Sequence, residues 1–152
     1  MYHKKFGKID FKKFHPSGSL GNKLKTVEDI MLTKNKIPFI NENASFDKVL
    51  KMINLKKLGL VLVRNKKKET IGIFTDGDIK RSIQNKENFK NLKLKSFMTK
   101  NPISVDKDIL AVKAISIMNE KKITSLCVHS KINKKKTLGI IHIHNLISMD
   151  SI

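Results

Sequence analysis

Apolar residues recur with helical spacing in two stretches of the chain that lie 65 residues apart. Each stretch has apolar residues at i, i+3, i+4 and i+7, which is the spacing of one helical face. They are Phe46, Val49, Leu50 and Ile53 in the first stretch, and Ala111, Ala114, Ile115 and Met118 in the second. Asn43 and Asp108 precede them in register and are predicted N-caps, because their side chains can accept from the first amide groups of a helix. The pattern predicts an internal repeat.

Each predicted helix is followed by two short apolar runs separated by a lysine-rich turn. Runs that are apolar on both faces are typical of buried strands, and the turns between them predict hairpins. The runs are Leu60–Val63 and Thr70–Phe74 in the first half, and Leu126–Val128 and Thr137–Ile141 in the second. The lysines of residues 65–68 and 133–136 are therefore expected on solvated hairpin tips.

A first strand and a closing helix complete each repeat. The first strands are predicted at Ile37–Ile40 and Pro102–Val105, and the closing helices from about Asp76 to Ile83 and from about Ile143 to Met149. The fold class is therefore α+β, with two β-α-β-β-α units packed around a pseudo-twofold axis. The two units are assigned to residues 26–84 and 92–152, with a polar linker at 85–91 and a tail at 1–25. Ile30-Met31 and Phe97-Met98 begin the two units.

The high net positive charge does not by itself indicate a nucleic-acid-binding protein. The formal net charge is +19, but only Arg64 and Arg81 among the 32 basic residues are arginine, and the chain has no Trp and one Tyr. Nucleic-acid readers usually rely on Arg for bidentate contacts and on aromatics for stacking, so a nucleic-acid partner is not expected. No apolar stretch approaches the roughly 20 residues that span a bilayer. With Cys127 as its one cysteine the chain forms no internal disulfide, which favours a reducing, cytoplasmic location.

Three motifs resemble a known family. The apolar-Met start of each unit and the turn Gly72–Ile79 (GIFTDGDI) are similar to a tandem pair of CBS domains. The run Gly72–Arg81 (GIFTDGDIKR) and Lys122–Ser125 (KITS) resemble D-arabinose 5-phosphate isomerases. Residues 11–24 resemble the junction between the sugar-isomerase and CBS modules of D-arabinose 5-phosphate isomerases. The resemblance covers nearly the whole chain but only the C-terminal part of that family's architecture, and its catalytic sugar-isomerase domain is missing from the sequence. It implies a sugar-isomerase domain as partner, in cis or in trans, and a homodimer.

The strongest binding motif is Thr75-Asp76-Gly77-Asp78. A strand delivers Thr75 to the start of a helix, where free amide groups and the helix dipole attract anions, and the Asp78 carboxylate can accept from both hydroxyls of a ribose. The alternative is that these residues only cap the helix. The resemblance implies that Thr75 holds a phosphate and Asp78 a ribose. By position, the residues that would enclose the base are Ile37, Pro38, Leu58, Gly59 and Leu60.

The second unit departs from this motif. His142-Ile143-His144-Asn145 stands where the first unit has Thr75 to Asp78, so a neutral amide replaces the carboxylate. A weaker second site at His142 and Asn145 is the expectation, with His142 as a donor to an anion, particularly if protonated. The histidines do not complete a tetrahedral ligand set, so no metal is expected. We expect a nucleotide or nucleotide-sugar to bind these sites as an effector, and no cofactor to be required.

His15 is the one candidate for catalysis. In the isomerase family the histidine of the matching motif contributes to the active site of the preceding domain, and Ser17 departs from the family's His-Pro-Gly-Gly run at this point. His15 is therefore expected to be catalytic only when a sugar-isomerase domain is supplied; otherwise it is a tail histidine beside a proline turn. The sequence leaves two hypotheses. The chain is a regulatory module for an arabinose 5-phosphate isomerase, or it is the C-terminal part of such an enzyme.

Overall fold

The computed structural model describes residues 24–85 and 93–150 of the chain. Its strands are β1 (Leu32–Thr33), β2 (Phe39–Asn41), β3 (Leu60–Arg64), β4 (Thr70–Thr75), β5 (Thr99–Lys100), β6 (Ser104–Asp106), β7 (Ser125–His129) and β8 (Thr137–His142). Its helices are α1 (Val27–Ile30), α2 (Phe46–Lys56), α3 (Asp76–Gln84), α4 (Leu94–Phe97), α5 (Ala111–Lys121) and α6 (Ile143–Asp150). A 3₁₀ turn covers Lys34–Lys36. The predicted α+β class with two repeated units is confirmed.

The strands form two four-stranded sheets with the same internal plan. The sheet of the compact unit Lys34–Pro102 has the order β2-β3-β4-β5, and the described residues on either side of that unit form the order β1-β8-β7-β6. In each sheet one pair is parallel, β2 with β3 and β6 with β7, and the other pairs are antiparallel. The parallel pairs need a crossover, which α2 and α5 supply.

The short strand that begins each sequence repeat pairs with the sheet of the other repeat. Leu32 in β1 lies opposite Ile140 in β8, and Lys100 in β5 lies opposite Gly72 in β4. Residues 26–84 and 92–152 thus remain the predicted sequence repeats, whereas the compact units divide the chain at Thr33 and Pro102. A two-residue strand carries no pattern that indicates which of two similar sheets it joins.

Close packing at these exchanged strands explains the glycine of each β-hairpin. A Cβ atom on Gly72 would lie 2.3 Å from the Met98 sulfur, and one on Gly139 would lie 2.4 Å from the Met31 sulfur. The apolar-Met start of each repeat therefore fills the space above a glycine in a neighbouring strand.

The wholly apolar strands are buried as predicted. In the unit Lys34–Pro102, Val61 and Val63 of β3 pack with Val49 and Ile53 of α2 and with Phe74. The corresponding core of the other unit contains Ala114, Ile115 and Met118 of α5 with Leu126 and Val128 of β7. Each helix thus buries the face that the sequence pattern indicated. Among the described residues, no helix is long and apolar enough to cross a membrane.

The predicted N-caps were wrong by two residues in both helices. Ser45 caps α2, and its hydroxyl accepts from the Lys48 N–H at 3.3 Å. Leu110 precedes α5 and makes no side-chain cap. Asn43 and Asp108 instead donate their main-chain N–H groups to the side chains of Asn41 and Asp106, which forms the turn before each helix.

Candidate functional site

The start of α3 is held by reciprocal hydrogen bonds between Thr75 and Asp78. The Thr75 hydroxyl accepts from the Asp78 N–H at 3.2 Å. The Asp78 carboxylate accepts from the Thr75 N–H at 2.8 Å and from the Thr75 hydroxyl at 3.1 Å, through one oxygen. This capping box satisfies donors that a helix start leaves unpaired. The capping alternative is thus observed, and any ligand role of these side chains comes in addition to it.

Arg81 is a third member of this cluster that the sequence reasoning missed. Its guanidinium pairs with the second oxygen of the Asp78 carboxylate. The Arg81 side chain is 67% exposed, whereas Asp78 is buried. The spacing of three residues on one helix is the signal that could have indicated the pair. The result is a buried carboxylate paired with a guanidinium that is mostly exposed to solvent.

Gly77 leaves this cluster open. A Cβ atom at Gly77 would lie 3.5 Å from the Thr75 hydroxyl oxygen and 3.5 Å from the Arg81 guanidinium. Any side chain there would cover both groups. Because Gly77 has only hydrogen at this position, it places no side chain of its own against the hydroxyl or the guanidinium.

Two of the predicted base-contacting residues lie directly beside the cluster. The Asp76 N–H donates to the Gly59 carbonyl at 2.9 Å, and Leu60 pairs with Thr75 across β3 and β4. Gly59 has φ of +71°, and a Cβ atom there would lie 2.9 Å from an Asp76 carboxylate oxygen. Both the positive φ and this close approach favour glycine where the chain enters β3.

The other three predicted residues reach the same end of the sheet by a different path. Leu58 is half-buried next to Gly59, and Ile37 and Pro38 are buried just before β2. The Pro38 carbonyl accepts from the Leu62 N–H at 2.8 Å, which ties this segment to β3. No described contact joins Ile37 or Pro38 to Thr75 or Asp78, so their role in a site stays a prediction.

The second unit builds a neutral version of the same arrangement. Asn145 accepts from the His142 N–H at 3.2 Å through its side-chain oxygen, as Asp78 does for Thr75. The Ile143 N–H donates to the Thr124 carbonyl at 2.8 Å, as Asp76 does to Gly59. His142 is buried, and its Nδ1 accepts from the His144 N–H at 3.2 Å. Since Nδ1 is an acceptor, only Nε2 of His142 can donate to an anion.

The remaining chemistry-bearing residues do not gather into a site. Among the described residues, no group of three or more His, Cys, Asp or Glu side chains is placed to hold a metal ion. Burial raises the pKa of the Cys127 thiol to about 12, which makes it a poor nucleophile. His129 pairs through Nδ1 with the Ser104 hydroxyl at 2.8 Å, which links β7 to β6. His15 lies outside the described residues.

The chain is similar to known proteins over most of its length. The sequence matches the CBS domain family over residues 27–85 and 94–151. It is 38% identical over 144 residues to the uncharacterized protein RP505 of Rickettsia prowazekii, covering 95% of this chain and 44% of that protein. It is 36% identical over 143 residues to the arabinose 5-phosphate isomerase KdsD of Yersinia pestis, covering 93% of this chain and 43% of that enzyme. The chain thus spans less than half the length of these relatives.

Solved structures show the same fold at lower identity. The complex of CBSX2 from Arabidopsis thaliana with AMP has a TM-score of 0.68 and 22% identity, and the match covers 81% of this chain and 93% of that one. The CBS domain pair of protein MJ0100, in complex with 5′-methylthioadenosine and S-adenosyl-L-methionine, has a TM-score of 0.71 and 20% identity, over 84% of this chain and 97% of that one. The chain therefore belongs to the CBS domain family, as a tandem CBS pair homologous to the C-terminal region of arabinose 5-phosphate isomerases.

Proposed function

We propose that this CBS pair binds a nucleotide or nucleotide-sugar at the start of α3 and thereby regulates an arabinose 5-phosphate isomerase. The observation that carries the proposal is the open cluster of Thr75, Asp78 and Arg81 around Gly77. It combines a buried carboxylate, a hydroxyl and an exposed guanidinium within the first two turns of a helix. Such a set matches the two polar parts of a nucleotide, its ribose diol and its phosphate.

In this proposal Arg81 changes partner when the nucleotide binds. The ribose hydroxyls donate to the Asp78 oxygen that Arg81 occupies in the free protein. The guanidinium then turns to the phosphate, beside the Thr75 hydroxyl and the uncovered main chain of Gly77. The Asp78 oxygen that accepts from Thr75 keeps its bonds, so the helix cap survives binding. The base lies against the apolar segment of Ile37, Pro38, Leu58, Gly59 and Leu60.

The ligands of the two structural neighbours support the ribose half of the proposal. AMP, 5′-methylthioadenosine and S-adenosyl-L-methionine all carry a ribose diol, and only AMP carries a phosphate. Arg81 makes this chain suited to the phosphate-bearing member of that set. The second cleft is the weaker site, because the neutral amide of Asn145 is a poorer acceptor for a diol than a carboxylate.

Calorimetric titration with AMP and with adenosine tests the site. Replacing Asp78 by Asn keeps an acceptor for the Thr75 N–H but removes the charge. Position 78 then carries the same amide side chain as position 145 in the second unit. We expect Asp78→Asn to weaken AMP binding about tenfold to a hundredfold, from roughly 1.5–3 kcal/mol for a charged hydrogen bond. The matched change Asn145→Asp should leave this site intact. Adenosine should bind the unmodified chain more weakly than AMP, and Arg81→Ala should remove that difference. Equal losses of AMP affinity in Asp78→Asn and Asn145→Asp would contradict the assignment of the binding site to the first unit.

A second candidate function is supported by the 36% identity to an arabinose 5-phosphate isomerase over 143 residues. Here the chain is the C-terminal part of such an enzyme and works with a sugar-isomerase domain, in cis or in trans. Turnover of arabinose 5-phosphate by the isomerase domain of the Yersinia pestis enzyme, joined to this chain, separates the two candidates. Regulation predicts a rate that AMP changes and that Asp78→Asn makes insensitive to AMP. A rate that His15→Ala abolishes, with no response to AMP, favours the second candidate.

A further inference from the structure

A groove of about 490 Å³ lies between α2 and β2, away from the cluster at the start of α3. Phe39, Ile40, Asn41, Asn43, Ala44, Lys48, Lys51, Met52 and Leu55 line it. Ile40 is buried at its base, whereas Leu55 is 71% exposed. The groove thus offers an apolar floor that water reaches from one side. None of the residues predicted for nucleotide binding contributes to it.

Positive charge borders the groove without compensation. Lys48 and Lys51 lie on its helix side, and within the described part of the chain neither ammonium group has an ion-pair partner. Arg64 does not line the groove, but its guanidinium stacks on the ring of the lining residue Phe39, at 3.7 Å from the ring centre. Partial burial lowers the pKa of Arg64. By contrast, nearby Lys95 is paired with Glu42 and Lys56 with the Asn35 carbonyl.

The strand beside the groove is an edge. β2 is the terminal strand of its sheet, and β3 is its one partner among the residues that the structure describes. An edge strand can pair with an added segment through main-chain hydrogen bonds. Lys48 and Leu55 are separated by about 10 Å along α2 at 1.5 Å per residue, which matches about three extended residues.

The chain itself is a poor occupant of this groove. Residues 1–23 contain six lysines and one acidic residue, Asp10, and a second copy carries the same net charge of +19. Both would bring like charge to Lys48, Lys51 and Arg64. An occupant that complements these cations carries carboxylates, and one that fills the floor carries apolar side chains.

We propose that the α2–β2 groove binds an extended acidic segment of a partner protein, whose side facing α2 carries both apolar and acidic residues. The segment pairs with the β2 edge. Its apolar side chains point to Met52 and Leu55, and its carboxylates meet Lys48 and Lys51. Lys48, Lys51, Met52 and Leu55 share one face of α2, at the spacing i, i+3, i+4 and i+7. Because successive side chains of a strand point to opposite sides, every second residue of the segment faces α2, and those residues include both acidic and apolar ones. The proposal is independent of nucleotide binding.

Fluorescence anisotropy with the labelled peptide Glu-Asp-Val-Leu-Glu-Asp-Ile, which carries acidic and apolar residues on both faces of a strand, tests the surface at physiological salt. The double variant Lys48→Glu, Lys51→Glu should weaken binding roughly tenfold or more, from the loss of two attractions and the gain of two repulsions. The control Lys66→Glu, Lys67→Glu alters the net charge by the same amount on a hairpin tip outside the groove and should bind within about twofold of the unmodified chain. Leu55→Ser, at an exposed position, should also weaken binding. Asp78→Asn should not.

Other outcomes overturn the proposal. Equal loss in the two double variants means that the peptide senses only overall charge. Full binding by a peptide with proline at its central position means that the segment does not pair as a strand. Self-association that Leu55→Ser abolishes, measured by sedimentation velocity without peptide, means that a second copy covers the groove. Absence of binding by the unmodified chain rejects the acidic segment as occupant.

Discussion

Removal of the Asp78 side chain should destabilise the fold much more than removal of its charge alone. The carboxylate accepts two hydrogen bonds from Thr75 through one oxygen and pairs with Arg81 through the other. Asp78→Ala removes all three interactions and leaves the Thr75 N–H without an acceptor. Asp78→Asn keeps an oxygen for the Thr75 N–H and loses mainly the contact with Arg81.

The magnitudes follow from burial and exposure. Loss of a capping interaction costs about 1 kcal/mol, and a donor left unsatisfied in a partly buried position costs about 1–3 kcal/mol more. The Arg81 pair adds less than about 1 kcal/mol, because the Arg81 side chain is 67% exposed and its charge is screened by solvent. We therefore expect Asp78→Ala to lower the free energy of unfolding by about 2–4 kcal/mol, and Asp78→Asn by less than about 1 kcal/mol.

Urea unfolding followed by circular dichroism measures both variants against the unmodified chain. Asn145→Ala is the matched control in the second unit, where a neutral oxygen accepts from the His142 N–H; a loss of about 1 kcal/mol is expected. Equal destabilisation by Asp78→Ala and Asp78→Asn would refute the reasoning, since it would place the stabilising effect in the charge and not in the cap.

Three further outcomes are expected. Gly139→Ala should lower the melting temperature more than Gly72→Ala, because its Cβ would lie 2.9 Å from the main-chain oxygen of Leu32, whereas at Gly72 the close atoms belong to the flexible side chain of Met98. Cys127 should resist iodoacetamide at pH 8 in the folded chain and react with it in urea. The pKa of its thiol is about 12 in the folded chain and about 8.5 in the unfolded chain. Because the unfolded chain loses this proton first, the free energy of unfolding should fall as the pH rises above about 8.5. Ellman titration and urea unfolding at pH 7 and 10 check these two points, and rapid reaction of the native thiol would contradict them. Binding to duplex DNA should show no sequence preference and should fall steeply with salt, as gel-shift assays at two salt concentrations would show.

The helices and the central strands were predictable from sequence because their signals are local and long enough to repeat. The spacing at Phe46 and Ala111 indicated α2 and α5, and the apolar runs at Leu60 and Leu126 indicated buried strands. The position of Thr75 between a strand and a helix was readable for the same reason. The N-caps were misplaced because Asn43 and Asp108 have the residue types of caps but take part in turns just before the helix.

The sequence by itself determined the repeat, the elements within it and the residue types at the start of α3. Only the tertiary structure decided that β1 and β5 join the sheets of the opposite repeats, because a strand of two residues has no periodicity and is selected by the space above Gly139 and Gly72. The tertiary structure also decided the surroundings of the Asp78 carboxylate, because its burial and its pairing with Arg81 depend on how α3 packs. The groove between α2 and β2 is also a feature that only the tertiary structure decided. Its lining residues come from β2, α2 and the turn between them, so the spacing within one element does not show that Lys48 and Lys51 lie beside an apolar floor.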